Sequence, residues 1–155
     1  MASKQDEKIM LGEAAEHLVL SRLLRRLYFA SQGPRGLAAD DILIKGGLTI
    51  QVKANKTGPK GGWFVDQSEP RPSCFYALVD FTTLDDPVVY VLPSGVVQAT
   101  TRADHEAVLL RNPKANDSGI RKIYDPWGRA GPPAGLEDGW LAPYREAWGL
   151  LPQPC

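Results

Sequence analysis

Residues 41–53 constrain the fold of this chain more than any other stretch. Asp41-Ile42-Leu43-Ile44 is followed by Lys45-Gly46-Gly47 and then by Leu48-Thr49-Ile50-Gln51-Val52-Lys53. β-Branched residues on both sides of a glycine turn predict a β-hairpin. A three-residue loop with glycine in the left-handed position pairs Ile44 with Leu48, Ile42 with Ile50 and Asp41 with Gln51. Alternation then collects Ile42, Ile44, Leu48, Ile50 and Val52 on one face. Asp41, Leu43, Thr49, Gln51 and Lys53 fall on the other. A two-residue loop would shift the register and turn Asp41 onto the apolar face, so the apolar pattern selects the longer loop.

Ahead of the hairpin, residues 8–30 predict one long helix. Ile9, Leu20, Leu23, Leu24 and Leu27 form a stripe at helical spacing. Glu13 and Glu16 fill the gap in it. A carboxylate on a core-facing stripe is costly unless it is paired or binds a cation. The plainer alternative is that the stripe ends there and both acids reach water. Residues 31–39 read as a loop and residues 56–62 as a basic, glycine-rich loop. The runs 75–81 and 88–92 predict buried strands, with Asp85-Asp86-Pro87 as a turn between them. Residues 100–110 predict a helix and residues 112–139 mostly loop. Residues 140–151 suggest a short closing helix with Trp148 packed inward. Together these elements predict an α/β fold in one domain spanning 1–155.

Charge is distributed unevenly although the formal net charge is zero. Residues 22–35 hold four arginines and no acid, and residues 42–64 hold four lysines and no acid. Residues 80–106 hold five acids against Arg102 alone. The basic blocks therefore flank the hairpin. No run is long and apolar enough to span a membrane. The polar start of the chain does not look like a secretory signal, so a cytoplasmic location is expected. Cys74 and Cys155 are expected as reduced thiols. The two cysteines and two histidines are too scattered for a zinc site. His17 and His105 both read as helix-surface residues.

The polar face of the hairpin points to phosphodiester chemistry. Such a hydrolase needs hard oxygen ligands for a cation and a positive group beside the attacking water. Asp41 supplies a carboxylate, and Gln51 a side-chain carbonyl on the same side of its strand as Lys53. Glu16 can reach the ion from the helix, directly or through water. Magnesium suits this set because it keeps several waters and takes few carboxylates. Taken alone, Gln51-Val52-Lys53 also fits an edge strand facing solvent. The ordered combination of helix acid, Asp-led hairpin and Gln-x-Lys is the more specific signal.

That order resembles the PD-(D/E)xK nuclease superfamily. Gly12-x-x-x-Glu16 is similar to the Gly-x-x-x-Glu of its first helix, and Asp41-Ile42-Leu43 to its Asp-hydrophobic-hydrophobic step. Ile50-Gln51-Val52-Lys53 is similar to the Ile-Gln-Val-Lys of small bacterial members, with archaeal Holliday junction resolvases more distant. Trp63, the 75–81 strand, Tyr90-Val91-Leu92-Pro93-Ser94, residues 116–121 and Trp148 extend the likeness over most of the chain. The resemblance implies a restriction-endonuclease-like core, a central mixed β-sheet flanked by helices. It implies a magnesium-dependent endodeoxyribonuclease, with manganese as the alternative ion. Glu16, Asp41, Gln51 and Lys53 would be catalytic, the first three of them holding the metal. Lys56, Lys60 and Arg35 are expected to bind nucleic acid, DNA ahead of RNA. No membrane partner is expected, and a homodimer is compatible with the resemblance.

Two positions depart from the pattern: Asp40 stands where proline is usual, and Gln51 where glutamate is commoner. Gln51→Glu is on this basis expected to be tolerated. A catalytically inactive module that binds DNA or a protein is the rival reading.

Overall fold

The computed structural model describes residues 1–34, 40–67 and 69–154. In chain order the elements are α1 (Lys4–Arg25), β1 (Ala30–Gln32), β2 (Ile42–Ile44), β3 (Leu48–Asn55), α2 (Gly58–Gly61), β4 (Trp63–Asp66), β5 (Cys74–Asp80), β6 (Val88–Pro93), α3 (Ser94–Arg111) and β7 (Ile120–Ile123). Two 3₁₀ turns follow, Ala142–Tyr144 and Trp148–Leu150. The closing segment is thus a pair of short turns and not the α-helix expected, although Trp148 is buried.

Helix α1 starts earlier than its apolar pattern suggests because Ser3 caps it. The Ser3 hydroxyl accepts the Asp6 N–H at 3.1 Å, and the Asp6 carboxylate accepts the Ser3 N–H at 3.0 Å. This reciprocal pair satisfies two donors that a bare helix end would leave open. The helix stops at Arg25, and Leu27 adopts a left-handed φ of 69°. Its buried face is Ala15, Val19 and Leu23, repeating every fourth residue, while Ile9, Leu24 and Leu27 are exposed. Of the predicted stripe, Leu23 is buried and Leu20 packs against the core, so the stripe is right in part and rotated by its exposed members. The true contact face includes a small residue, Ala15, where helix and sheet approach closely.

The main sheet has the order β1-β2-β3-β5-β6. All neighbours are antiparallel except β3 and β5, which run parallel. The hairpin has the register that its pattern predicts, with Ile42 opposite Ile50 and Ile44 opposite Leu48. Gly46 and Gly47 turn it at φ of 101° and 93°, a backbone region that favours glycine.

Each face of the sheet carries its own core. Ile42, Ile50, Val52, Ala77 and Val91 pack with α1 and Trp148 on one side. Tyr76, Leu78 and Leu92 pack with Val97 of α3 and with Trp63, Val65 and Ile123 on the other. The central mixed sheet is thus flanked by helices, as expected.

The second face is also covered by a two-stranded ribbon, β4 paired antiparallel with β7. β7 lies inside the 112–139 segment expected to be loop. Ile120-Arg121-Lys122-Ile123 is too short and too charged to announce a strand, and its partner is remote in sequence. Gly62 leads into β4 with a φ of 77°, and a Cβ there would stand 2.5 Å from the Ile123 carbonyl oxygen. No other residue fits that approach.

Candidate active site

The site begins where β2 stops. β3 pairs with β2 only over Leu48–Ile50, whereas β5 covers its other edge from Thr49 to Asn55. Beyond Ile50 the first edge of β3 is therefore uncovered by β2. The Asp41 carboxylate fills the first opening: its Oδ2 accepts the Val52 N–H at 2.7 Å. Asp41 is thereby fixed to the segment that carries Gln51 and Lys53. Burial raises its pKa above the ordinary carboxylate value of 3.8, while the Val52 bond and the positive charge of Lys53 pull it back. Nearby Asp40 pushes it up again.

Gln51 and Lys53 are half-buried on the polar face, while Ile50 and Val52 are buried on the other. Lys53 lines a cleft of about 340 Å³ between α1, β3 and the β4–β7 ribbon. Lys8, Gly12, Phe64 and Asp66 line it too. A Cβ at Gly12 would meet no atom within 4 Å, so the space beside this residue is open.

Glu16 is directed toward the Asp41 end of the hairpin. Its Oε2 accepts from Gln32 Nε2 at 3.3 Å, and Gln32 is the β1 partner of Ile42. The next residue, Gly33, donates its N–H to the Asp41 carbonyl at 2.8 Å. Glu13 instead approaches His17 within α1, at 3.7 Å.

Asp40 was not marked by sequence as a working residue. It is buried, and Arg71 grips it with two bonds, Nη2 to Oδ1 at 2.5 Å and Nη1 to Oδ2 at 3.3 Å. Gln51 Nε2 also donates to Asp40 Oδ1, at 3.4 Å. Burial alone would raise the Asp40 pKa, but these bonds and the Arg71 charge hold it below the ordinary range. The local pattern around Asp40 gives no hint of Arg71, which comes from a loop 31 residues away.

Lys56 and Lys60 are exposed at the end of β3 and do not line the cleft. Arg35 lies outside the described residues. The segment around Lys56 and Lys60 is not a plain loop, since Gly58–Gly61 forms a helical turn. Asn55 braces it: Nδ2 donates to the Gly58 and Gly62 carbonyls at 2.9 and 2.7 Å, and Oδ1 accepts the Gly58 N–H at 2.9 Å. Asn55→Ala should lower the unfolding free energy by about 1–3 kcal/mol, because part-buried backbone groups lose their partners. Urea denaturation would measure it, and an unchanged midpoint would mean that the turn holds itself.

His105 is less exposed than expected and lies 3.8 Å from Asp117. Cys74 is a buried free thiol, and Cys155 lies outside the described residues. An apolar hollow of about 330 Å³ sits at the turn end of the hairpin, beside Phe29, Ile44 and Leu48, away from these polar groups. Among the described residues, no three His, Cys, Asp or Glu side chains gather closely enough to hold a metal ion. The candidate donors, Asp41, Gln51 and Glu16, include only two carboxylates. Such a hard-oxygen set fits magnesium, which retains most of its waters.

No family model and no curated protein sequence matches the chain. Among solved structures it is similar to a bacterial homing endonuclease, I-Ssp6803I. The TM-score is 0.52 at 19% sequence identity, over 97% of this chain and 91% of that one. The two share a fold. Among the described residues, no helix is long and apolar enough to cross a membrane.

Proposed function

We propose that this chain is a metal-dependent endodeoxyribonuclease of the PD-(D/E)xK kind, working at the open edge of β3. The observation that carries the reading is the 2.7 Å bond from the Val52 N–H to the Asp41 carboxylate. It ties the hairpin acid to the Gln51-Val52-Lys53 strand, with Lys53 facing a cleft that one helix and one ribbon wall. The fold shared with a homing endonuclease supports the same assignment.

Asp41 and Gln51 would hold a magnesium ion, with manganese as a substitute and Glu16 contributing from the helix. When bound, the cation supplies charge to the scissile phosphate and stabilises the leaving oxygen. The chain's own residues do the rest. Lys53 brings a positive charge to the phosphate and orients the attacking water. The bond to Val52 keeps Asp41 from rotating away.

The test is nicking of supercoiled plasmid with and without magnesium, beside the same assay on single-stranded RNA. Magnesium-dependent nicking of DNA alone is the expected result. Cleavage of RNA alone would move the chain to another substrate, and cleavage of neither would favour an inactive binding module. The neutral amide at residue 51 is the observation on the side of that second reading.

Lys56 and Lys60, with Arg35, would contact backbone phosphates beside the site. Replacing each lysine by glutamine should flatten the dependence of log affinity on log salt by about one per residue. Fluorescence anisotropy over a salt series measures this, and an unchanged slope would remove the α2 turn from the interface.

A further inference from the structure

We infer that Asp40, clamped by Arg71, is a positioning residue that requires a neutral amide at residue 51 and fixes which way that amide points. This rests on the nuclease reading of the Asp41–Lys53 site and deepens it. The Asp40 carboxylate is buried, and Arg71 forks onto both of its oxygens. The Arg71 backbone is held in turn by the buried Ser94 hydroxyl. That hydroxyl accepts the Arg71 N–H at 2.9 Å and donates to the Arg71 carbonyl at 2.7 Å. The clamp is thus anchored at the first turn of α3.

Chemistry decides the orientation of Gln51. An ionised Asp40 only accepts hydrogen bonds, so the Gln51 atom 3.4 Å from its Oδ1 must be the NH₂ nitrogen. An amide carries its oxygen on the other branch, so Oε1 is turned away from Asp40. A carboxylate at residue 51 would set two acceptor-only groups against each other in a partly buried site, with no donor to join them. It would also take the Gln51 donor away from Asp40. The two departures from the superfamily pattern therefore form one coupled feature: an acid at residue 40 goes with an amide at residue 51. On this argument Gln51→Glu alone is not a gain, which reverses the expectation from sequence.

A double-mutant cycle over Gln51→Glu, Asp40→Asn and the pair decides it. In the double variant the amide introduced at residue 40 can donate to the carboxylate introduced at residue 51, exchanging the two chemistries. The readouts are the magnesium dependence of plasmid nicking and the thermal midpoint of the metal-free protein. Gln51→Glu should cut nicking at limiting magnesium about tenfold, and the double variant should recover most of that loss, a coupling of the size found between residues in contact. The midpoint should fall in Gln51→Glu and rise again in the double variant.

Nicking by Gln51→Glu that equals or exceeds wild type would overturn the inference and leave the nuclease reading intact. So would coupling confined to the thermal midpoint while every variant keeps the wild-type magnesium dependence, since Asp40 would then be a structural neighbour only. If the wild type cuts nothing, the nuclease reading fails separately. Magnesium affinity measured by calorimetry then decides the clamp: coupled values across the cycle keep it and additive values remove it.

Discussion

Lys53→Ala should reduce magnesium-dependent nicking by about 10²–10³-fold, the usual cost of removing one pre-placed charge-stabilising group. The folded state should barely notice. Lys53 projects from the polar face of β3 into the cleft, while the packing of that strand rests on Ile50 and Val52. Asp41→Asn should remove activity to a similar extent, because it deletes the only strand-borne carboxylate proposed to hold the ion. Its effect on stability differs in sign from most active-site changes. The Asp41 pKa is raised in the folded protein, chiefly by burial. A carboxyl whose folded pKa lies above its unfolded value costs stability once pH exceeds the unfolded pKa. Asparagine keeps an acceptor for the Val52 N–H without that charge, so the midpoint at neutral pH should hold or rise. Wild-type cleavage that survives both changes would place the site elsewhere.

The largest loss of stability should come from Trp63→Ala. Trp63 is 1% exposed, packs its ring 5.7 Å from that of Tyr90, and donates its indole N–H to the Val79 carbonyl at 3.0 Å. It joins the β4–β7 ribbon to the centre of the main sheet. Deleting a buried tryptophan costs about 3–5 kcal/mol through lost transfer energy and the cavity left behind. The orphaned Val79 carbonyl adds to this. For a chain of this size the midpoint should fall by about 10 °C, since each kcal/mol is worth a few degrees. Trp63→Phe, which keeps the ring but not the donor, should lie between. If Trp63→Ala melts within a degree of wild type, the ribbon contributes nothing to the cooperative core. Cleavage by that variant should also weaken, because β4 forms one wall of the cleft that holds Lys53.

The features legible in the sequence were those whose cause is local. The hairpin register follows from alternation around two glycines, and it places Gln51 and Lys53 together without reference to the rest of the fold. The face of α1 was legible only in part: Leu23 is buried as its stripe predicts, but Ala15 and Val19 complete the contact while Ile9, Leu24 and Leu27 are exposed. The ribbon was missed because Trp63 and Ile123 are remote in sequence and neither run announces the other as its partner. Asp40 looked like a substituted proline. Its meaning depends on Arg71, which arrives from a loop, and on Ser94, which opens α3. The partners of Glu16 were likewise invisible, since β1 was read as loop.

The uncovered stretch of β3 has a consequence for association between molecules. An exposed strand edge offers unpaired backbone groups to any passing chain, and sheets that leave such edges open are prone to adding strands. A strand laid along that stretch would close the cleft that Lys53 lines. Here the Val52 N–H, which lies past the end of the β2 pairing, is occupied by a charged side chain. A carboxylate satisfies the donor, repels an approaching carbonyl and still leaves room for solvent. The Asp41 carboxylate thus also acts as a stopper, so the interior strand β3 can leave the stretch past Ile50 unpaired by β2 without inviting a second copy to add to it.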